Sequence, residues 1–222
     1  MPDETTRMGA EAEAIGRVVA RYRPCGRFAR YYVAGKLRHD PLTSVLLRGP
    51  ALGTVVDLGC GRGQFAGLLL ETGQADAVVG LDINSRLLDQ ARVALAGLAF
   101  RAIGQDLAQD VRLPTADTVL LADMLYQIAP DRQERLLRSA CAAARRGLLI
   151  RTADPDAGWR SRFTSAVEHA GCRFWPHAGR TVAPRPIAWI AAVVAESGFT
   201  VRHAPSSAGT PFGNTLLTAV RA

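Results

Sequence analysis

The stretch Thr54-Val55-Val56-Asp57-Leu58-Gly59-Cys60-Gly61-Arg62-Gly63 decides the fold. Its first half is a short apolar run, the kind that becomes a strand buried on both faces of a parallel sheet. Its second half sets glycines at alternate positions, and Phe65 to Leu70 then continues as a helix. Glycines between a strand and a helix permit a tight turn and let a ligand approach the backbone closely. The dinucleotide-binding pattern G-x-G-x-x-G seats a pyrophosphate at the helix N-terminus. Here the spacing is G-x-G-x-G, with Gln64 where that pattern has its third glycine and an acid, Asp57, two residues before the first. An acid there suits a ligand with a cationic end better than it suits a phosphate.

Outward from this turn, strand-length apolar runs alternate with helix-period segments, the signature of a parallel α/β sheet. Ala77 to Leu81 reads as a second strand, followed by a helix capped by Asn84 with Leu87, Leu88, Ala91 and Leu95 on its apolar face. Leu98 to Ile103, Thr118 to Leu121 and Gly147 to Arg151 read as three more strands, with a helix from Arg132 to Ala144. The last third predicts a helix from Trp159 to Ala170, a Pro/His/Arg loop from Phe174 to Arg185, and a helix from Ile187 to Ser197 stopped by Gly198. Thr200 to His203 and Thr215 to Val220 are joined by a Ser/Gly/Pro loop, so they read as an antiparallel hairpin at one sheet edge. Upstream, residues 11 to 52 read as two or three helices, with Ile15, Val18, Val19 and Tyr22 on one face and His39-Asp40 as a helix start. The expected fold is a seven-stranded, Rossmann-like α/β sheet with helices on both faces. The whole chain reads as one domain: a helical lid (1–50), a core (51–152) and an acceptor-side segment with the hairpin (153–222).

Three further motifs follow strands. Asp82, ahead of Ile83, is a carboxylate at a strand end that can accept both hydroxyls of a ribose through charge-assisted hydrogen bonds. Asp106 can accept an adenine amino group, with Ile83 and Leu107 sandwiching the ring. Asp123, Met124 and Tyr126 follow the fourth strand. Ligands of open α/β sheets bind outside the carboxyl ends of the strands, so all four motifs are expected at one edge.

The succession strand-DLGCGRG-helix, LDI, QDL and ADMLYQI resembles the class I S-adenosylmethionine-dependent methyltransferases over roughly residues 50 to 150. The resemblance implies S-adenosylmethionine as cofactor and direct displacement at its sulfonium carbon. It implies Asp57, Gly59, Gly61, Gly63, Asp82 and Asp106 around that cofactor; Cys60, Ile83, Leu107, Asp123 and Met124, which adjoin them in the four motifs, are further candidate contacts. A narrower similarity, carried by GRFARYYVAGKLRHDP and SSAGTPFGNTLLTAVR, is to small bacterial methyltransferases found beside type II fatty-acid-like and aryl polyene genes. That similarity implies a small aromatic or acyl acceptor, free or held as a thioester on an acidic acyl carrier protein. The aromatic and basic stretch Gly26 to Leu37 reads either as a helix packed against the sheet edge or as a lid over the cofactor pocket, the lid bringing Arg27 or Lys36 near the cofactor carboxylate. Tyr126 and His177 are the candidate general bases; methyl transfer to an acceptor that is already nucleophilic needs none.

A formal charge of +7 invites a nucleic-acid reading, but the basic residues are almost all arginines scattered along the chain, with no aromatic interleaving of a base-stacking groove. The alternatives to a small acceptor are nucleic-acid or protein methylation, or cofactor binding without catalysis. Cys25, Cys60, Cys141 and Cys172 lie far apart, so neither a disulfide framework nor a metal site is signalled. With no signal peptide and no apolar run of the ~20 residues a membrane span needs, a cytoplasmic location is expected.

Overall fold

The computed structural model describes residues 4–109, 112–174 and 182–222, with the backbone alone for residues 4–8 and 168–174. The strands are β1 (Gly53–Leu58), β2 (Ala75–Asp82), β3 (Phe100–Gly104), β4 (Ala116–Ala122), β5 (Ala144–Ala153), β6 (Phe199–Pro205) and β7 (Asn214–Arg221). They form one seven-stranded sheet in the order β3-β2-β1-β4-β5-β7-β6. By contacts the chain divides into two compact units, residues 1–55 with 60–104 and residues 56–59 with 105–222.

The first unit begins with α1 (Glu4–Arg21), a 3-10 turn (Arg23–Cys25), α2 (Arg27–His39) and α3 (Pro41–Arg48). Ile15, Val18, Val19 and Tyr22 are all buried, as their helical spacing requires. Asp40 caps α3 by accepting the Leu42 N–H, so His39 ends α2 instead of starting a helix. Pro41 lacks the N–H that α2 would need to continue and fits the first position of the next helix. The unit continues through α4 (Gln64–Glu71), β2, α5 (Ser85–Ala94) and β3. Asn84 caps α5 from its side chain, and Leu88, Ala91 and Leu95 are buried. β2 and β3 are parallel, with Asp82 opposite Gly104 at their carboxyl ends.

The second unit holds β4, a 3-10 turn (Leu125–Gln127), α6 (Pro130–Ala143), β5, α7 (Trp159–Phe174), α8 (Ile187–Glu196), β6 and β7. β4 and β5 are parallel, while β7 runs antiparallel to both β5 and β6 and lies between them. The terminal hairpin therefore enters with its second strand inside and its first at the edge. Gly198, at φ 87°, closes α8. Helix α7 runs on to Phe174 instead of stopping at Ala170, because a single helical glycine such as Gly171 costs only about 1 kcal/mol. The expected loop around Trp175 and His177 lies outside the described residues. No helix among them is long and apolar enough to cross a membrane.

Candidate functional site

In the first unit, the turn after β1 is held backbone group by backbone group. The Cys60 N–H donates to the Leu81 carbonyl (3.0 Å) and the Gly63 N–H to the Cys60 carbonyl (2.8 Å). The Gly61 N–H donates to Asp82 Oδ2 (2.8 Å), and the Asn84 N–H donates to the other carboxylate oxygen, Oδ1 (2.8 Å). An ionised carboxylate offers about four acceptor sites. Each oxygen of half-buried Asp82 thus keeps room for one more donor, which is what a vicinal diol presents. Beside it, Ile83 is 56 % exposed, a large apolar side chain standing in solvent at a strand end.

Two glycines of this turn do different work. Gly61 has φ 55°, and nothing lies within 4 Å of the place a Cβ would take, so the turn has an open side there. Among the described residues, the next backbone N–H, that of Arg62, has no acceptor. At Gly63 (φ 75°) a Cβ would sit 3.0 Å from Leu95 Cδ1 and 3.2 Å from Ala91 Cβ, so this glycine lets α5 close on the turn. Cys60 is buried, and its Sγ comes within 2.6 Å of the place of a Gly80 Cβ. It fills the space a side chain at Gly80 would need.

Arg62, which the sequence reading passed over, is the most connected residue of the turn. Its carbonyl accepts the Tyr22 hydroxyl (2.6 Å) and its Nε donates to Gln90 Oε1 (2.8 Å). Its guanidinium carbon lies 4.7 Å from the Tyr32 ring centroid and 5.6 Å from that of Phe28. Burial pushes the Arg62 pKa down, and it pushes that of the Tyr22 hydroxyl well up, so Tyr22 remains a donor at ordinary pH. The hint in the sequence was an aromatic helix with no acid of its own ahead of an arginine-bearing glycine turn. Of the two cations expected near a cofactor carboxylate, Arg27 is exposed, and Lys36 pairs with Asp40 (2.8 Å), with its Nζ 5.9 Å from the Phe65 ring centroid. Tyr22 itself is core, packed on the helical face it shares with Ile15, Val18 and Val19.

In the second unit, Asp57 is buried at the end of β1, and Gly59 (φ 76°) is packed by Met124, whose Cβ is 2.8 Å from the place of a Gly59 Cβ. Asp106 is half-buried; it accepts the Ala108 N–H (2.9 Å) and the Gln109 side-chain amide (3.3 Å), and Leu107 beside it is buried. Asp123 has φ 59°, the only positive φ outside glycine among the described residues. Its carboxylate is gripped at both oxygens by Arg151, through Nε (2.8 Å) and Nη2, and Arg151 is 1 % exposed. An arginine inside the apolar run Gly147 to Arg151 was the signal for this pair, since a charge so placed must find a partner. Tyr126 is buried; its carbonyl accepts the Ala183 N–H (2.8 Å), and Gln133 donates to the Ile128 and Ala183 carbonyls (2.8 Å each). Residues 182–186 are thereby tied to the turn after β4. Asp154 accepts the Thr215 hydroxyl (3.0 Å) and the Asp156 N–H (2.9 Å), which fixes the turn after β5. Among the described residues no cluster of three or more His, Cys, Asp or Glu is placed to hold a metal ion.

Residues 55–147 match the family model of the methyltransferase domain. Over this segment the chain is similar to methyltransferase domains, and its seven-stranded sheet with a terminal hairpin has the fold of the S-adenosylmethionine-dependent methyltransferases. Among curated proteins it is similar to trans-aconitate 2-methyltransferases. One from Rhizobium etli is 36 % identical over 42 % of this chain and 36 % of the relative. One from Rhodopseudomonas palustris is 29 % identical over 59 % of this chain and 57 % of the relative. The matched segments span between 28 % and 57 % of the length of these relatives. Among solved structures, an O-methyltransferase family protein from Burkholderia thailandensis shares the fold with TM-score 0.68 at 22 % identity, over 87 % of this chain and 59 % of the other. Magnesium protoporphyrin IX methyltransferase from Synechocystis, solved with bound SAH, shares it with TM-score 0.62 at 22 % identity, over 89 % and 88 %.

Proposed function

We propose that this chain transfers the methyl group of S-adenosylmethionine to a small carboxylic acid with an aryl or acyl body, free or held as a thioester on an acidic carrier protein. The observation that carries the cofactor half is Asp82. Its two oxygens are oriented by the Gly61 and Asn84 N–H groups with capacity left over, beside an open face at Gly61 and an exposed Ile83. Those residues fit the group: Asp82 accepts the ribose hydroxyls and Ile83 covers a face of the adenine. When bound, S-adenosylmethionine supplies a methyl carbon that an acceptor oxygen displaces directly from sulfur, the C–O bond forming as the C–S bond breaks. A free carboxylate acceptor is ionised already, so for it no proton transfer at Tyr126 or His177 is required. An acid held as a thioester has its carboxyl in that bond and is methylated at another group, whose proton a base must take. Positioning and exclusion of water are then the protein's main contributions.

The choice of acceptor rests on features of the second unit alone. Trp159, Phe163 and Val167 recur every fourth residue along α7 and are all exposed, giving an apolar stripe that Phe212 meets edge-on through Phe163 (5.6 Å). Arg162 is exposed on the same helix, and Arg160 sits over the Trp159 ring (5.5 Å). Such a surface suits an apolar body with an anionic end, since rings bury apolar area and guanidinium pairs with carboxylate. The curated relatives are named for trans-aconitate, itself a carboxylic acid, which agrees with an anionic acceptor.

A side-by-side assay with methyl-labelled cofactor tests this. Aryl and acyl carboxylic acids, trans-aconitate and carrier-bound thioesters are offered next to RNA and DNA. The expected result is label on one or more acids or thioesters. Label on nucleic acid, with none on any acid or thioester, contradicts the reading.

A further inference from the structure

We infer that Arg62 is a positioning residue: through it, the docking of α2 sets the affinity of the glycine turn for S-adenosylmethionine. The inference rests on the cofactor reading above. The turn is intrinsically loose, because Gly61 and Gly63 both sit in the left-handed region and glycine leaves that conformation readily. Between them stands the one residue of the turn with a side chain long enough to reach other elements. Arg62 reaches two of them in the first unit: α2 through the Phe28 and Tyr32 rings, and α5 through Gln90. Its carbonyl is pinned independently by the Tyr22 hydroxyl at the end of α1.

Two features set this arrangement apart from ordinary core packing. Among the described residues no carboxylate lies within ion-pair distance of Arg62, so its cation is met by aromatic faces and an amide oxygen. The rings themselves are not core: Phe28 is 65 % and Tyr32 44 % exposed. They cover the arginine while facing water, as the removable half of a clamp does. What the clamp holds in place is the Gly61 N–H that orients Asp82 Oδ2. When the clamp opens, the turn samples conformations in which that hydrogen bond is absent, and apparent affinity falls with the fraction of molecules still competent.

Calorimetric titration with S-adenosylhomocysteine tests this on the wild-type chain and on Arg62→Met, Arg62→Lys and Tyr32→Leu, with hydrogen exchange measured on the same samples. Arg62→Met is expected to raise Kd about tenfold, reflecting a competent fraction near one tenth, and Tyr32→Leu about threefold. Arg62→Lys restores part of the loss, since it keeps a cation over the rings. Exchange at residues 60–64 speeds up in Arg62→Met and Tyr32→Leu while that of β2 and β3 stays as in the wild type. In the wild type, the ligand slows exchange along α2; in Arg62→Met that slowing is lost. If Arg62→Met does not fold, Tyr32→Leu decides, because its half-exposed ring leaves no core cavity. Folded variants that bind within twofold of the wild type overturn the inference alone. A wild-type chain that binds no S-adenosylhomocysteine overturns the cofactor reading and this inference with it.

Discussion

Asp82 and Asp123 are both aspartates just beyond the apolar run of a strand, one in each unit, yet their surroundings assign them opposite tasks. Asp82 is oriented by two backbone N–H groups, neutral donors that leave its charge and half of its acceptor sites for something else. Asp123 faces a guanidinium that takes both of its oxygens and is itself sealed from water. A carboxylate steered by amides keeps acceptor sites for a further donor, the basis of the ligand role proposed for Asp82, whereas one gripped by a buried arginine has both oxygens engaged within the fold. Which of the two an aspartate becomes depends on a partner tens of residues away, and the residue type does not record it.

The largest expected effect tests the structural half of this contrast. Asp123→Ala takes the carboxylate from an arginine that is 1 % exposed and should destabilise the chain by about 3–5 kcal/mol. Thermal and denaturant unfolding measure it; a loss below about 1 kcal/mol would show that Arg151 does not depend on this partner.

The glycines of the turn separate fold from ligand on a finer scale. Gly59→Ala meets both a left-handed φ and Met124 at 2.8 Å, so it should cost about 2–3 kcal/mol of stability. Gly61→Ala meets only the φ, because its Cβ would enter open space, so about 1 kcal/mol is expected. On the proposed cofactor reading that same methyl group would stand where the ligand approaches the backbone, and it should weaken S-adenosylhomocysteine binding by more than it weakens the fold. Equal stability losses in the two variants, or unchanged binding by Gly61→Ala, would break the distinction.

Much of the fold was legible because it is written locally. The glycine turn after an apolar run, the Asn84 cap, the Gly198 stop and the turn-separated final strands each announce an element within a few residues. The boundaries that differed are those where a local rule is weak, as in α7, which runs through a glycine, or at His39, where the cap is Asp40 one residue later. At the site, the residues that carry strand-end acids were readable from position alone, but their partners were not. The Arg151 grip on Asp123 and the Arg62 clamp each join residues 28 or more apart in sequence, or a backbone carbonyl to a side chain 40 residues away. No periodicity or propensity encodes such pairs; at most, a charge inside an apolar run or an aromatic face beside a turn says that one must exist.

Asp82, held by the glycine turn, is the proposed anchor of an S-adenosylmethionine site. Titration of the wild-type chain and of Asp82→Ala with S-adenosylhomocysteine, with NAD as the competing ligand, tests it most directly. The wild-type chain is expected to bind S-adenosylhomocysteine in preference to NAD, and Asp82→Ala to lose at least tenfold in affinity while still unfolding cooperatively. Unchanged affinity in Asp82→Ala, or a wild-type preference for NAD, would contradict the proposed site.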